Sequence, residues 1–323
     1  PQLSIHRGHL QMRLWDEAAQ RLGPAQVRTG ERVVAARETA NGAVAEILHA
    51  DGTRSERACD ILVGADGIHS ALRQQFHPDE GAPRWNGMMM WRGTTLARPF
   101  LDGRTMVQAG HRRAKFVVYP IEPVRPDGLQ RINWICDRRL REDGFGGGLT
   151  APSREDWSKP GSLDDLLPTF GSWRFAWLDV PGLIRAAEQI LEWPMVDRDP
   201  LPRWRHGHTT LLGDAAHPMY PIGSNGATQA ILDAAALADA LDGHASITAA
   251  LNAYEAARLP MTRDIVAMNR REGLDAILDM VEEAAPEGFA RIEDVTDPTV
   301  LAEWVQAYKK AAGHQVGRPQ SAP

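Results

Sequence analysis

The stretch from Thr209 to Leu241 constrains the fold more than any other part of the sequence. A short apolar run predicts a buried strand, a turn presents Asp214, a Pro- and Gly-rich loop covers 217–226, and an alanine-rich helix follows over 227–241. Helix N-termini leave backbone N–H groups without intrahelical partners and carry partial positive charge, and glycines let a ligand approach the backbone closely. The junction therefore predicts a site for an electron-rich oxygen or ring edge, with Asp214 suited to a sugar hydroxyl.

A second strand-to-helix junction precedes this one. The apolar run 60–65 predicts a central parallel strand, and a helix begins after Gly67. Asp66 then lies at the carboxyl end of a strand, where open α/β sheets bind ligands. The structural alternative is that Asp66 caps the helix and that Arg73 is solvated; a cap is worth about 0.5–2 kcal/mol. Asp66 can serve as cap and ligand at once.

These two junctions carry a family resemblance. The run Gly213-Asp214-Ala215-Ala216-His217-Pro218, with Pro221, Gly226 and Asp233 after it, resembles the GD motif of the FAD-dependent aromatic hydroxylases, the single-component flavoprotein monooxygenases. The run from Asp60 to Arg73 resembles the DG motif of that family. Within the family, segments 4–8, 90–93 and 193–200 are most similar to the phenazine hydroxylase branch that acts on 5-methylphenazine-1-carboxylate. The resemblance extends from residue 1 to about residue 270.

The resemblance implies a fold and an activity. The fold is α/β, with a Rossmann-like FAD-binding domain and an inserted antiparallel-sheet substrate domain. NAD(P)H reduces FAD, the reduced flavin captures O₂ as a C4a-hydroperoxide, and a small aromatic substrate, phenazine-like or an aromatic carboxylate, is hydroxylated. Two alternatives stay open: a non-catalytic truncated remnant of such an enzyme, and a flavoprotein oxidoreductase of the same fold that inserts no oxygen. Flavin content and product mass distinguish them.

The resemblance also implies site residues, and no certain catalytic residue among them. The expected FAD-binding residues are Arg7, Val33, Asp66, Asp214, Pro221, Gly223, Ser224, Asn225 and Gly226. The backbone amides of 221–226 would face the N1/O2 edge of the flavin. The ordinary alternatives are that Arg7 is a surface residue paired with Glu17 or Asp16, and that Val33 is a core residue of a strand.

One departure from the family concerns the glycine-rich nucleotide motif. No G-x-G-x-x-G occurs, and the nearest candidate, 144–149, ends in Leu149 within a polar loop. The chain begins at Pro1. We therefore expect an N-terminally truncated FAD-binding domain that, purified alone, is poorly soluble and colourless, and that regains FAD when an N-terminal extension is restored.

The remaining pattern predicts four regions. We expect the first part of the FAD-binding domain over 1–82, an antiparallel substrate domain over 83–199, the second part of the FAD-binding domain over 200–282, and a C-terminal helix with a disordered tail over 283–323. A helix is predicted over 9–22, a meander over 31–58, and strands at 88–93, 105–109, 115–119, 131–136 and 190–195. The segment 137–159 is a predicted loop and lid. Helices over 246–259 and 261–271 are predicted to break or kink at Pro260.

The insert contains most of the tryptophans, whose flat apolar surfaces suit a planar substrate, although core packing is the commoner role of any single one. Met90, Arg92 and Tyr119 alternate toward one face if the strands pair as expected, so they are the predicted substrate pocket. Arg92 could hold a substrate carboxylate with two hydrogen bonds.

Composition excludes several classes of function. A net charge of -6 disfavours a nucleic-acid partner, which requires clustered Lys and Arg. Two cysteines indicate a reducing compartment, and without a long apolar run or a signal segment we expect a cytoplasmic protein with no membrane partner. We allow for a homodimer. His206, His208 and His217 lack metal-ligand spacing, so we expect no metal site, although alternation would put His206 and His208 on one face.

Overall fold

The computed structural model describes residues 4–142, 149–152, 156–271 and 275–311. The helices are α1 Arg7–Leu22, α2 Ala71–Phe76, α3 Leu163–Phe170, α4 Val180–Arg185, α5 Gly226–Gly243, α6 Ile247–Arg270, α7 Ala276–Ala284 and α8 Pro298–Ala311. The strands are β1 Glu31–Thr39, β2 Gly42–His49, β3 Arg54–Cys59, β4 Leu62–Gly64, β5 Arg84–Ala97, β6 Val107–His111, β7 Ala114–Pro120, β8 Gln130–Arg139, β9 Leu149–Thr150, β10 Arg174–Phe175, β11 Leu178–Asp179, β12 Ile190–Asp197 and β13 Thr209–Leu211. The α/β class with an antiparallel insert is confirmed.

Contacts within the chain divide it into two compact units. The first unit comprises Pro1–Thr29, Gly87–Gly144 and Ala151–Met195, and the second comprises Gly30–Asn86, Phe145–Thr150 and Val196–Pro323. This grouping places α1 with the antiparallel sheet, whereas the sequence-based division over 1–82 assigned it to the FAD-binding domain. That division into four regions stays a prediction.

The first unit is built on a long antiparallel sheet with strand order β12-β5-β8-β7-β6. One face of this sheet buries aromatic side chains: Trp134 has no exposed surface, and its ring lies 6.3 Å from that of Phe116. Phe116 in turn lies 6.4 Å from Phe170 of α3. The predicted strands of the insert are confirmed, since each overlaps one of these strands. The tryptophan at the sheet centre is a core residue.

Two short parallel strands lie in the second unit. β4 pairs with β13, with Leu62 opposite Thr209 and Gly64 opposite Leu211. Both strands are shorter than the apolar runs that predicted them, because only three residues of each find a partner strand. The predicted meander is confirmed as the sheet β1-β2-β3.

The hydrophobic core of the second unit lies under this parallel pair. Leu211, Leu251 and Tyr254 have no exposed surface and belong to one cluster of buried side chains. Helix α6 contributes two of them and runs as one helix through Pro260, so the predicted break is absent, while the alternative of a kink stays a prediction. Buried residues on both sides of the proline, Tyr254 and Ile265, explain why the helix continues, because their packing outweighs a cost of about 3 kcal/mol for an interior proline.

Three further predictions concern the lid with the C-terminal tail, the absence of a membrane span, and helix α1. The Gly-rich part of the predicted lid and the C-terminal tail lie largely outside the described residues. Among the described helices, no segment has the length and apolar character needed to cross a membrane. Helix α1 has no buried residue, and its Leu14 is 58% exposed.

Candidate functional site

The two motif loops meet at one edge of the parallel pair. Because β4 and β13 are parallel neighbours in register, Asp66 and Asp214 follow their carboxyl ends on the same side, and both side chains are exposed. Asp66 Oδ2 accepts the N–H of Ala71 at 2.8 Å, so this carboxylate does cap the start of α2. The two carboxylates form an exposed acidic edge that suits the hydroxyl groups of a sugar or polyol.

The turn that presents Asp214 is held from beneath by Asp233. Gly213 has a φ of +61°, and its N–H donates to Asp233 Oδ2 at 3.0 Å. Asp233 has no exposed surface and also contacts His217 Nε2 at 2.5 Å and Arg258 Nε at 2.7 Å. Burial alone would raise the pKa of Asp233, but its hydrogen bonds with His217 and Arg258 bring that pKa below its usual value. The turn is therefore held by the carboxylate of Asp233, which is itself hydrogen-bonded to His217 and Arg258.

Arg73 ties the two motifs together. It is 1% exposed, and Nη1 donates to the carbonyl oxygens of Ala215 at 3.0 Å and Ala216 at 2.8 Å. Nη2 donates to the carbonyl oxygen of Asp199 at 2.8 Å, and the guanidinium also pairs with Glu80. The expectation of a solvated Arg73 is wrong, because backbone carbonyls after Asp214 and a carboxylate replace its water shell.

The loop before α5, residues 221–226, has a backbone conformation suited to ligand binding, and we call this loop the cradle. Gly223 has a φ of +73° and Ser224 a φ of +55°, a left-handed conformation that is uncommon outside glycine and clusters at functional sites. Helix α5 begins at Gly226 with no side-chain cap and no acidic residue in its first turn. A Cβ on Gly226 would lie 4.0 Å from Asp214 Oδ1, so the loop and the acidic edge adjoin.

Asn225 supplies a donor to this cradle. Asn225 is 1% exposed. Its Oδ1 accepts a hydrogen bond from Gln229 Nε2 at 3.0 Å, which leaves Nδ2 available as a donor. Nδ2 has no hydrogen-bond partner in the part of the chain that the structure describes. An unmatched donor beside an uncapped helix N-terminus fits an electron-rich ring edge, and the acidic edge fits a polyol. The residues present therefore fit the flavin and ribityl parts of FAD.

The other two expected cofactor residues have different surroundings. Val33 lies on β1 opposite Ile47, beside a bulge, and its half-buried side chain packs on the core cluster. Arg7 is the first residue of α1 and is exposed. Of the two alternative partners of Arg7, Glu17 and Asp16, Glu17 pairs with Arg21 at 2.6 Å. Both roles toward FAD stay predictions.

The three predicted substrate residues share one face of the antiparallel sheet. Met90 and Arg92 are two residues apart on β5, so their side chains point to the same face of the sheet. Tyr119 on β7 is paired with Asn133 on β8, and this pair lies on that same face. Arg92 Nη2 lies 3.5 Å from the Tyr119 hydroxyl, and Arg92 Nε donates to Asn133 Oδ1 at 2.8 Å. Burial lowers the pKa of Arg92, with Tyr119 acting in the opposite direction. The sheet thus brings together the residues that the sequence proposed.

The same face carries a buried ion pair beside Met90. Asp137 on β8 lies directly opposite Met90 on one side and Lys115 of β7 on the other. Lys115 Nζ lies 3.1 Å from Asp137 Oδ2, and the two side chains are 8% and 4% exposed. This face is therefore polar as well as apolar, with cations at two separate points.

His206 and His208 do not share a face. Gly207 between them has a φ of +61°, so the chain makes a tight turn there instead of the extended path that alternation assumed. His206 Nε2 lies 3.3 Å from His77 Nε2, while His208 Nδ1 pairs with Glu38. Within the described ranges, no group of three or more His, Cys, Asp or Glu side chains could hold a metal ion.

Sequence reasoning missed several residues of this framework. Asp197 has no exposed surface and accepts two hydrogen bonds from Arg270, at 2.7 and 2.8 Å. Burial raises the pKa of Asp197 to about 6, with Arg270 opposing that rise. Arg258 and Asn133 were also missed. The sequence signal for such a residue is a polar side chain on an otherwise apolar face of a helix or strand. Such a side chain needs a buried hydrogen-bond partner, but the sequence does not show which residue that partner is.

Comparisons with known proteins agree with this geometry. A family model described as "FAD binding domain" matches residues 9–149 and 181–269. The chain is 46% identical over 277 residues to phenazine 1,6-dicarboxylic acid hydroxylase PhzS of Lysobacter antibioticus, covering 84% of this chain and 66% of that protein. It is 37% identical over 257 residues to 3-amino-4-hydroxybenzoate 2-monooxygenase PtnB3 of Streptomyces platensis, covering 78% of this chain and 59% of that protein. The chain thus spans less than two thirds of the length of either relative.

Solved structures show the same fold. A salicylate hydroxylase in complex with its substrate has a TM-score of 0.64 at 24% identity, covering 95% of this chain and 75% of that one. Klebsiella pneumoniae HpxO complexed with FAD and uric acid has a TM-score of 0.61 at 24% identity, covering 92% and 66%.

Proposed function

Because the chain belongs to the family of FAD binding domains, we propose that it acts in an FAD-dependent, NAD(P)H-consuming monooxygenase that hydroxylates a planar aromatic acid. The observation that carries this proposal is the acidic edge formed by Asp66 and Asp214 beside the uncapped N-terminus of α5. The two carboxylates match the hydroxyl groups of a ribityl chain, and the helix N-terminus matches the electron-rich edge of a flavin ring.

We assign the loop 221–226 and the acidic edge of Asp66 and Asp214 to FAD. Asp214 and Asp66 accept hydrogen bonds from ribityl or ribose hydroxyls, and Arg7 and Val33 contact the phosphate and adenine parts. The backbone amides of 221–226 and Asn225 Nδ2 donate to the electron-rich edge of the ring, where they stabilise negative charge. Bound FAD supplies hydride acceptance from NAD(P)H and activation of O₂. No side chain of this chain is required as a nucleophile.

We assign the substrate to the face of the antiparallel sheet that carries Met90, Arg92 and Tyr119. Arg92 is a half-buried guanidinium, and none of the described carboxylates lies within 4 Å of it. A half-buried cation without a described anionic partner favours an anionic ligand, and the planar guanidinium matches a carboxylate with two parallel hydrogen bonds. The names of the two sequence relatives specify aromatic carboxylic acids as substrates. Met90 and Tyr119 would contact the aromatic ring.

The proposed location is the cytoplasm, and the proposed assembly is a homodimer. Cys59 and Cys136 are both free thiols, which is consistent with a reducing cytoplasm. A homodimer is the assembly to test, and light scattering of the purified protein measures its mass directly.

The test uses the full-length gene product. We expect it to copurify with flavin, to oxidise NAD(P)H in the presence of phenazine-1-carboxylate, and to consume O₂ with a product that carries one additional oxygen atom. Phenazine-1-carboxylate is the probe because it combines a planar ring system with a carboxylate.

Two results would contradict the proposal, each in favour of one alternative. A protein without flavin, even after incubation with FAD, would be a non-catalytic remnant. A flavin-containing protein that oxidises NAD(P)H without adding oxygen to any aromatic acid would be an oxidoreductase of the same fold.

A further inference from the structure

The side-chain amide of Asn133 has an assigned orientation. The residue lies on β8, opposite Thr94 of β5 and Tyr119 of β7, and is 1% exposed. Its Oδ1 lies 2.8 Å from Nε of Arg92. A guanidinium nitrogen can only donate, so the atom facing it must be the amide oxygen and not the nitrogen. The amide nitrogen of Asn133 therefore makes no hydrogen bond to Arg92.

That nitrogen is an unused donor. Nδ2 of Asn133 has no hydrogen-bond partner among the residues that the structure describes. Leaving a buried amide donor unmatched is unfavourable, and folded proteins usually avoid it. The cost is recovered when a ligand brings an acceptor, so the unused donor indicates that an oxygen or ring nitrogen binds there.

Arg92, Tyr119 and Asn133 together form what we call the Asn133 cluster. It presents a guanidinium, a phenol hydroxyl and an amide NH₂ on one face of the sheet, and no described carboxylate lies within 4 Å of the guanidinium. Donors predominate over acceptors in this cluster. A planar carboxylate has the opposite character, since each of its two oxygens only accepts hydrogen bonds.

We propose that Asn133 is a specificity-determining residue that selects aromatic acids in two ways: its Oδ1 fixes the orientation of Arg92, and its Nδ2 donates to a carboxylate oxygen of the substrate. This inference rests on the proposed function for the identity of the site. Asparagine is the residue type that does both. Aspartate at 133 would also accept from Arg92, but it would neutralise the guanidinium and repel the substrate. Leucine would leave Arg92 Nε unbonded.

The test compares the Asn133→Asp variant with the wild type in the full-length gene product. The probes are phenazine-1-carboxylate and unsubstituted phenazine, which differ only in the carboxylate, and equilibrium dissociation constants are measured by fluorescence alongside KM and kcat. We expect Asn133→Asp to weaken binding of the acid at least about tenfold, equivalent to about 1.4 kcal/mol, and to change binding of phenazine by less than about threefold. Asn133→Gln keeps the amide but displaces it, and should weaken binding of the acid to a smaller extent.

A matched control is Thr94→Ser, directly opposite Asn133 in the register, which should leave the ratio of the two dissociation constants unchanged. Equal weakening for both probes in Asn133→Asp would assign the residue to general packing and overturn the proposal, as would unchanged binding of the acid. A wild type that binds both probes equally also overturns it. A wild type that prefers the acid yet adds no oxygen contradicts only the proposed function. If Asn133→Asp does not fold, Asn133→Gln decides by the same ratio.

Discussion

The indole ring of Trp134 occupies the space that a side chain at position 93 would need. Gly93 lies directly opposite Trp134 in the register of β5 and β8, and a Cβ at position 93 would overlap the ring. The ring cannot easily move, because Nε1–H donates to Thr95 Oγ1 at 3.1 Å and the residue has no exposed surface. The close approach explains why this central strand position is a glycine.

Gly93→Ala should therefore destabilise the protein by about 1–3 kcal/mol, because overpacking forces the ring or the strand to shift. Urea unfolding with matched m-values measures the change. Gly243→Ala is the control: a Cβ at that position would have no atom within 4 Å and the backbone φ is unexceptional, so this variant should be neutral or slightly stabilising. Equal effects of the two variants would contradict the packing argument.

Asp214→Ala should weaken FAD binding by at least about tenfold, since one carboxylate of the acidic edge is lost while its support by Asp233 remains. Equilibrium titration of the apoprotein of the full-length gene product with FAD provides the measurement, and thermal unfolding checks the fold. Asp239→Ala, at an exposed position of α5, serves as the control and should bind FAD as the wild type does. An unchanged affinity in Asp214→Ala would remove this residue from the cofactor site.

Asp233→Asn should lower the free energy of unfolding by roughly 3–5 kcal/mol near neutral pH, because it leaves the buried Arg258 without its anionic partner. The pKa of Asp233 is depressed in the folded state, so its contribution is present above the unfolded-state pKa of about 3.9 and is lost as the pH falls through the lower folded value. The gap between wild type and variant should therefore narrow below about pH 4. Urea midpoints across pH, with the exposed Asp242→Asn as control, give this gap.

His206 should make the folded protein acid-sensitive. Burial, with Arg203 and His77, lowers the pKa of His206 to about 4. The unfolded state then binds more protons between about pH 6.5 and that value, so stability falls as the pH drops through this window. His206→Gln should lose less stability than the wild type between pH 7 and 5, as measured by urea midpoints, while His244→Gln, exposed at the end of α5, should follow the wild type. Parallel curves for all three proteins would rule out His206 as the cause.

Arg92→Met should raise KM for phenazine-1-carboxylate by about tenfold or more and leave KM for uncharged phenazine nearly unchanged. Arg92→Lys keeps the charge but loses the planar fork, so it should recover only part of the difference. Steady-state kinetics on the full-length gene product give both constants. If KM rises equally for charged and uncharged aromatics, Arg92 does not hold a carboxylate.

The sequence predicted those parts of the fold that local patterns determine. Local residue types predicted the meander over 31–58, and the alternation of Met90 and Arg92 with Trp91 along β5 predicted that these two side chains share a face. The placement of Met90 and Arg92 on the face of Tyr119 followed from that alternation together with an assumed register. Periodicity of this kind depends only on residues that are close in sequence, so it can be recognised without the tertiary structure.

Long-range partners could not be predicted in the same way. Arg73 finds its carbonyl acceptors at Ala215 and Ala216, far along the chain, and nothing near Arg73 specifies them. Asn133 likewise becomes informative only through its bond to Arg92. The turn at Gly207 shows a different limit, because a glycine between two histidines is compatible with either an extended or a left-handed backbone.

The pairing of β4 with β13 has a consequence for the order of folding. Gly64 pairs with Leu211, so about 147 residues must be enclosed before this parallel contact forms. The entropy of closing such a loop grows only logarithmically, and doubling its length costs about 0.6 kcal/mol, so long insertions between the two strands carry little thermodynamic penalty. The rate is affected more, because contacts between distant residues slow folding. We therefore expect the insert to form its own hairpins first and the edge bearing Asp66 and Asp214 to assemble late in folding.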